Sequence, residues 1–244
     1  VPTALGLNGG YPGNTNQFLA KRASNIWELF GAGIMPADID GVSGETEVPP
    51  GISFSYLNRA DVYWELGSGG GGYGDPIDRD PDLVATDVVN GLVSPEWAKR
   101  IYGVVIDPKT LAADAEATRG RREAIKRERR ASATPPPGPG SPESPAEVVP
   151  VQDINEFLQI VERGGRRLVR CQCGEVLGPA AGNYKDHLAV YEGPCSGSGP
   201  HTLTLVAEPR FVYREFYCPS CFLLLDVEVV ERGAAVEQDV EFRA

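Results

Sequence analysis

Apolar and polar residues alternate with a period of two through several short runs, and glycine and proline separate those runs. In residues 1–75 the segments LNGGYPGNT, QFLAKR, NIWELF, GISFSYLN and DVYWELGS, broken by Gly and Pro, read as short strands and predict a sheet. The period then changes. Asp80 followed by Pro81 supplies an N-cap and first-turn pair, Leu83, Val84, Asp87 and Val88 fall at helical spacing, and Gly91 can close the helix. Ser94, Pro95 and Glu96 repeat the start signal ahead of EWAKRIY, which stops at Gly103 before the β-branched run VVID. From Asp114 to Arg130 the Ala, Arg, Glu and Lys content favours a helix with almost no large apolar face, hence an exposed one. The next stretch, ASATPPPGPGSPESPAE, has prolines that fix φ and remove donors and offers nothing apolar to bury. It predicts an extended, solvated linker, open to proteases between Ala131 and Glu147.

Beyond the linker, INEFLQIVERGG reads as a helix capped by Asp153 and ended by Gly164 and Gly165. Four runs rich in β-branched and aromatic residues, RRLVRCQC, HTLTLVAEP, RFVYREFYC and FLLLDVEVVE, predict strands. No internal repeat is found.

Composition narrows the classes. Of 244 residues, 29 are Gly and 21 are Pro, about a fifth, so turns and at least one linker are required. The net charge of −11 repels a phosphate backbone and disfavours general nucleic-acid binding. No apolar run approaches the roughly 18 to 20 residues needed to cross a bilayer, and VPTALGLNGG lacks the basic and apolar regions of a signal peptide. A cytoplasmic protein without a membrane partner is expected. Because it begins at Val1 within a Gly-rich turn pattern, the chain reads as a fragment of something longer.

The chemistry-bearing pattern is in the cysteines. Cys171 and Cys173 form CQC, Cys218 and Cys221 form CPSC, and Cys195 stands apart. Two close thiol pairs from separate strand ends can converge on a tetrahedral Zn²⁺ with no open coordination position, a structural site and not a catalytic one. The alternatives are two disulfides or unconnected buried thiols, but a CxC disulfide is strained and the chain lacks a secretory signal. Cys195 or His187 could replace one ligand. The run GSGGGGYGDP contains GxGxxG, yet Asp75 and Pro76 follow where a dinucleotide site needs a helix, and no Lys-Ser or Lys-Thr makes it a P-loop. A tight loop where backbone meets backbone is favoured over an anion cradle. His187 and His201 adjoin no nucleophile motif. Glu28, Asp38, Asp40, Glu65 and Asp75 are acidic residues among 34, too many for any pair to be assigned catalysis. Residues 119–130 carry seven Arg or Lys, read as a solvated stalk in preference to a nucleic-acid contact.

The expected fold class is α+β: a mainly β N-terminal region with short helices, an exposed helical stalk, a Pro-rich linker, and a small zinc-ribbon-like β domain. The boundaries are 1–110, 111–131, 132–149 and 150–244.

Residues GSGGGGYGDPIDRDPDLVATDVVNGLVSPEWAKRIYGVVID, with LNGGYPG upstream, resemble the C-terminal end of hydantoinase B and oxoprolinase-type subunits, over roughly residues 5–118. The second part is similar to the small gamma subunit of acetone carboxylase through CQCGE, NYKDHLAVYEG and VYREFYCPSCFLLLDVEVVERG. Tyr213, Arg214, Glu215, Tyr217, Cys218, Pro219, Cys221, Val227 and Glu228 carry the strongest likeness. It departs at Phe222, where Gly is expected after the second thiol pair. Together the resemblances imply a subunit of an ATP-dependent, biotin-independent ketone carboxylase of the acetone or acetophenone type. A hydantoinase A-like partner would use ATP and Mg²⁺ to activate the ketone as an enol phosphate and bicarbonate as carboxyphosphate. The alternatives are an amide-ring hydrolase subunit of the hydantoinase or 5-oxoprolinase kind, and a noncatalytic zinc-ribbon adaptor. With no nucleotide motif, triad or open metal position, the chain alone is expected to be inactive.

Overall fold

The computed structural model describes residues 4–14, 16–49, 54–137, 148–195 and 210–240. By its contacts the chain divides into two units, Val1–Ala4 with Gly13–Gly70, and Leu5–Pro12 with Gly71–Ala244. The architecture is α+β, as the sequence predicts, with antiparallel sheets and few helices. Among the described residues, no helix is long and apolar enough to cross a membrane.

In the first unit β1 (Gln17–Arg22) lies between β2 (Glu45–Glu47) and β3 (Val62–Leu66), both antiparallel to it. Arg22, at the end of β1, bonds Glu47 at 2.5 Å and Asp61 at 2.8 Å. The Asp61 carboxyl also accepts the backbone N–H groups of Asn58 and Ala23, which with Arg22 push its pKa down to about 2. NIWELF is not a strand: it forms helix α1 (Ile26–Gly31). Its apolar residues Ile26, Trp27, Leu29 and Phe30 fall at helical spacing and do not alternate, and the helical turn sets Trp27 and Phe30 edge to face at 5.8 Å. GISFSYLN lies partly outside the described residues, and its remainder forms no strand, with Phe54 and Tyr56 exposed.

The second unit holds two further sheets. One runs β4 (Val149–Asp153), β5 (Leu158–Arg163), β6 (Arg166–Cys171), β7 (Val176–Pro179) in that order. The other places β9 (Phe211–Tyr217) between β8 (Ala189–Pro194) and β10 (Leu224–Glu231). Leu158, Val169, Leu177, Leu188, Phe216 and Leu223 share one core. The run INEFLQIVERGG is therefore a strand and turn where a helix was expected. Asn155 Oδ1 accepts the N–H groups of Phe157 and Leu158, which starts β5. Gly164 and Gly165, with φ of 58° and 74°, make the two-residue turn into β6 that only a residue pair free to take positive φ allows. The run's apolar residues fit helical spacing equally well, and the turn overrides it. HTLTLVAEP lies outside the described residues, as does most of the Pro-rich linker with its protease-sensitive bonds.

The helices of this unit begin where their caps predict. Asp80 accepts from Asp82 N–H at the start of α2 (Pro81–Val89), Ser94 from Trp97 N–H at α3 (Pro95–Ile101), and Asp114 from Ala117 N–H at α4 (Ala115–Ser132). Val84, Ala98 and Val104 form the small core around α2 and α3. Helix α4 differs from the exposed helix expected: Thr118, Ile125 and Arg129 are buried. One polar side chain on its inner face, Arg129, is buried by charge pairing and not by apolar packing.

The run 67–76 behaves as a place where backbone meets backbone. Leu7 N–H donates to Gly72 O and Gly74 N–H to Leu7 O, both at 2.9 Å. A Cβ added at Gly71 would lie 1.9 Å from Leu5 O. Gly71→Ala should therefore cost about 1–3 kcal/mol, read as a lower midpoint in chemical denaturation of the full chain. An unchanged midpoint would show that the segment around Leu5 has room to move.

Candidate metal centre

The turn after β6 and the turn between β9 and β10 bring the four predicted cysteines together. Their sulfurs all lie within 4.8 Å of one another. Cys171 ends β6, and its N–H and C=O close a tight turn through Glu175 O at 2.8 Å and Gly174 N–H at 2.8 Å. Cys218 follows β9, donating its N–H to Leu223 O and accepting from Phe222 N–H, both at 3.0 Å. Backbone N–H groups point at three sulfurs: that of Cys173 at Cys171, of Cys221 at Cys218, and of Leu223 at Cys221. Each favours a thiolate, the form that binds metal.

Cys171 to Cys221 measures 3.9 Å and Cys173 to Cys218 measures 3.6 Å, far beyond the about 2.05 Å of a disulfide. A tetrahedron with about 2.3 Å metal–sulfur bonds has edges of about 3.8 Å, so four sulfurs spaced in this way fit a tetrahedral thiophilic ion such as zinc. Mutual hydrogen bonding splits their acidities. Hydrogen bonds with Cys171 and then Cys218 push Cys221 down to about 2, whereas Cys171 is pushed up by its bonds with Cys218 and Cys221 and by burial. With four sulfur donors, an ion here would have no position left for water, so the group can brace the fold but not activate a nucleophile.

Cys195 lies outside this group, with its thiol pushed up by burial. His187 closes the turn Tyr184–His187, where its ring packs against Gly178. His201 is outside the described residues. Neither alternative ligand considered from the sequence, Cys195 or His187, is needed.

Phe222, the departure from the expected Gly, has φ of 57°, in the left-handed region that Gly favours. Its ring is compensated by burial and by Arg130, 4.7 Å above it. Phe222→Gly should relieve about 1–2 kcal/mol of strain but lose about 3–5 kcal/mol of packing. The expected result is a net loss near 2 kcal/mol in denaturation with metal still bound; a more stable variant would show that strain dominates.

The centre is joined to the Gly-rich segment by a buried charge pair that sequence reasoning missed. Asp75 receives Arg129 through two bonds of 2.5 and 2.8 Å, and also the N–H groups of Leu224 at 2.9 Å and Ile77 at 3.2 Å. Arg129 donates a further bond to Phe222 O at 3.0 Å. Both side chains are buried. The only signal was Asp75 in GGGGYGDP and Arg129 in a basic run, with nothing to pair them across 54 residues.

The fold and the cysteines define a β module with four clustered cysteines, linked to a Gly-rich, helix-bearing segment. Residues 148–243 match the family model of the acetone carboxylase gamma subunit, which bears out the C-terminal resemblance. The acetone carboxylase alpha subunit of Xanthobacter autotrophicus (strain ATCC BAA-1158 / Py2) is 29% identical over 152 residues, 55% of this chain and 20% of that protein. The acetophenone carboxylase delta subunit of Aromatoleum aromaticum (strain DSM 19018 / LMG 30748 / EbN1) is 32% identical over 145 residues, 55% of this chain and 21% of that protein. The caprolactamase subunit beta of Pseudomonas jessenii is 52% identical over 56 residues, 23% of this chain and 10% of that protein. A chain of the nucleotide-free acetone carboxylase structure is matched with a TM-score of 0.46 at 28% identity, over 54% of this chain and 19% of that one. The chain thus spans about a fifth of the length of the two carboxylase subunits it matches.

Proposed function

We propose that this chain is part of an ATP-dependent, biotin-independent ketone carboxylase that joins bicarbonate-derived carbon to a ketone. One observation carries the reading. A gamma-subunit segment shares a polypeptide with sequence similar to larger carboxylase subunits, since matches covering 55% of the chain extend beyond the part occupied by residues 148–243. In this reading residues 1–110 are the C-terminal region of a hydantoinase B-like subunit, 111–131 the charged helix, 132–149 the linker and 150–244 the gamma-like domain. Cys171, Cys173, Cys218 and Cys221 hold a structural Zn²⁺, which the 3.6 and 3.9 Å sulfur spacings support. ATP and Mg²⁺ belong to a hydantoinase A-like partner, the complex is cytoplasmic, and the chain has no activity alone.

The test is co-expression, in a full-length subunit, with a hydantoinase A-like partner, followed by ATP-dependent incorporation of labelled bicarbonate into a ketone. A second reading, an amide-ring hydrolase subunit, is favoured by the 52% identity to a caprolactamase subunit over 56 residues. ATP cleavage prompted only by a cyclic amide, with no label fixed, would select it. Turnover by the isolated chain would overturn both.

A further inference from the structure

Tyr213, Glu215 and Tyr217 alternate along β9 and so share one face of its sheet, together with Tyr191 of β8, which stands directly opposite Glu215. Gly193, opposite Tyr213, lets the Tyr191 ring lie along the sheet, since a Cβ there would be 2.6 Å from the Tyr191 hydroxyl. Tyr11, from the Gly-rich turn, and Trp97, from α3, complete a cleft of about 880 Å³ in the second unit. That volume lies within the roughly 300–1,000 Å³ of small-molecule sites.

The lining offers negative charge and ring faces. Both oxygens of Glu215 are met by neutral phenols: Tyr11 OH donates to one at 2.6 Å, and Tyr217 OH to the other. Burial first, and then Glu215, raises the pKa of each tyrosine, so both phenols keep their protons and the charge remains on the carboxylate. A ring face is the negative part of its quadrupole and holds a cation within about 6 Å. Two cations of the chain already sit in this way, Arg129 at 5.1 Å from the Tyr217 ring and Arg100 at 4.8 Å from the Trp97 ring. Neither neutralises Glu215: Arg129 is paired with Asp75, and Arg100 is exposed to water and salt that screen it. The chain's net charge of −11 adds to the attraction for a cation.

Hydrogen bonding decides which cation. A primary ammonium or a guanidinium brings N–H donors that lose water on entry and meet carboxylate oxygens already accepting from the phenols. A quaternary ammonium has no donor to strand, and its methyl groups bury against the rings. We propose that this cleft binds a quaternary ammonium compound, its head against Tyr11, Tyr191 and Tyr213, with Glu215 supplying the opposite charge. Binding is all that is assigned here, with no chemical step, and it is independent of the carboxylase reading.

Titration calorimetry of the full chain at low salt tests it, with choline, its uncharged carbon isostere neohexyl alcohol, and its primary ammonium counterpart ethanolamine as probes. Choline should bind, with the other two weaker by about tenfold or more. Glu215→Gln removes the charge but can still accept from Tyr11, and should weaken choline by about tenfold. Leu92, exposed on the cleft wall, probes the charge without disturbing a buried group: Leu92→Arg should weaken choline by about threefold, and Leu92→Glu should strengthen it by about as much. These two variants decide the matter if Glu215→Gln fails to fold. No binding of choline, equal binding of neohexyl alcohol or ethanolamine, undiminished binding by folded Glu215→Gln, or the same affinity in both Leu92 variants overturns the proposal.

Discussion

Cys218→Ser should bring bound zinc close to zero and destabilise the sheets that the two cysteine turns join. Cys218 contributes a buried sulfur whose neighbours lie at tetrahedral spacing, 3.6 Å to Cys173 among them. Metal affinity here is folding energy, because the unfolded chain has no preformed site. Structural zinc in small domains contributes about 10–16 kcal/mol in binding, of which this larger core should forfeit only part. A loss above 3 kcal/mol is the expectation, on the scale of other removed structural cross-links. Hydrogen exchange should rise first between residues 165 and 235. It should reach the C-terminal half of α4 as well, because Arg129 is bonded to Phe222 O within the second cysteine turn. Helices α2 and α3, built around Val84, Ala98 and Val104, should keep their protection. Cys195→Ser should retain one equivalent of zinc. Metal retained by the Cys218 variant, or lost from the Cys195 variant, would mean that the ligand set is wrong.

The parts of this structure legible in the sequence are those that local chemistry decides. The helix starts at Asp80, Ser94 and Asp114 follow from side chains that can cap only what comes next, and QFLAKR coincides with β1. The cysteine set was readable because pairs at turn spacing in separate strands have few other uses. What failed depended on partners far away in sequence. INEFLQIVERGG has helical spacing, and only pairing with β4 and β6 makes it a strand. In the sequence Arg129 is one more charge of a basic helix, and only the fold sets Asp75 beside it. Lys185 in NYKDH is likewise buried, held by Asp226 at 2.5 Å and Glu228 at 2.9 Å from β10. Charge composition alone cannot distinguish such residues from surface lysines and arginines.

The Asp75–Arg129 pair should prove the most sensitive polar contact in the second unit. Asp75→Ala would leave a buried guanidinium without its carboxylate and strand the N–H groups of Leu224 and Ile77. Breaking one partner of a buried pair costs about 3–5 kcal/mol, since the remaining charge keeps its desolvation penalty and loses its compensation. In the intact chain Asp75 outweighs burial and raises the Arg129 pKa; in Asp75→Ala burial acts without that compensation, and because a guanidinium does not give up its proton the charge and its penalty persist. Replacing both residues, Asp75→Leu with Arg129→Met, removes both charges and should recover much of the loss. A double-mutant cycle of Asp75→Leu and Arg129→Met, each alone and both together, should therefore give a coupling above about 2 kcal/mol in chemical denaturation. The metal reports separately. Arg129 holds the carbonyl of Phe222, whose left-handed backbone follows Cys221, so in both variants that turn is less constrained and competition with a chelator should show weaker zinc binding. A loss of less than 1 kcal/mol in Asp75→Ala would mean that water reaches Arg129. Unchanged zinc affinity would mean that the cysteine turns are set by their own hydrogen bonds and not by the helix behind them.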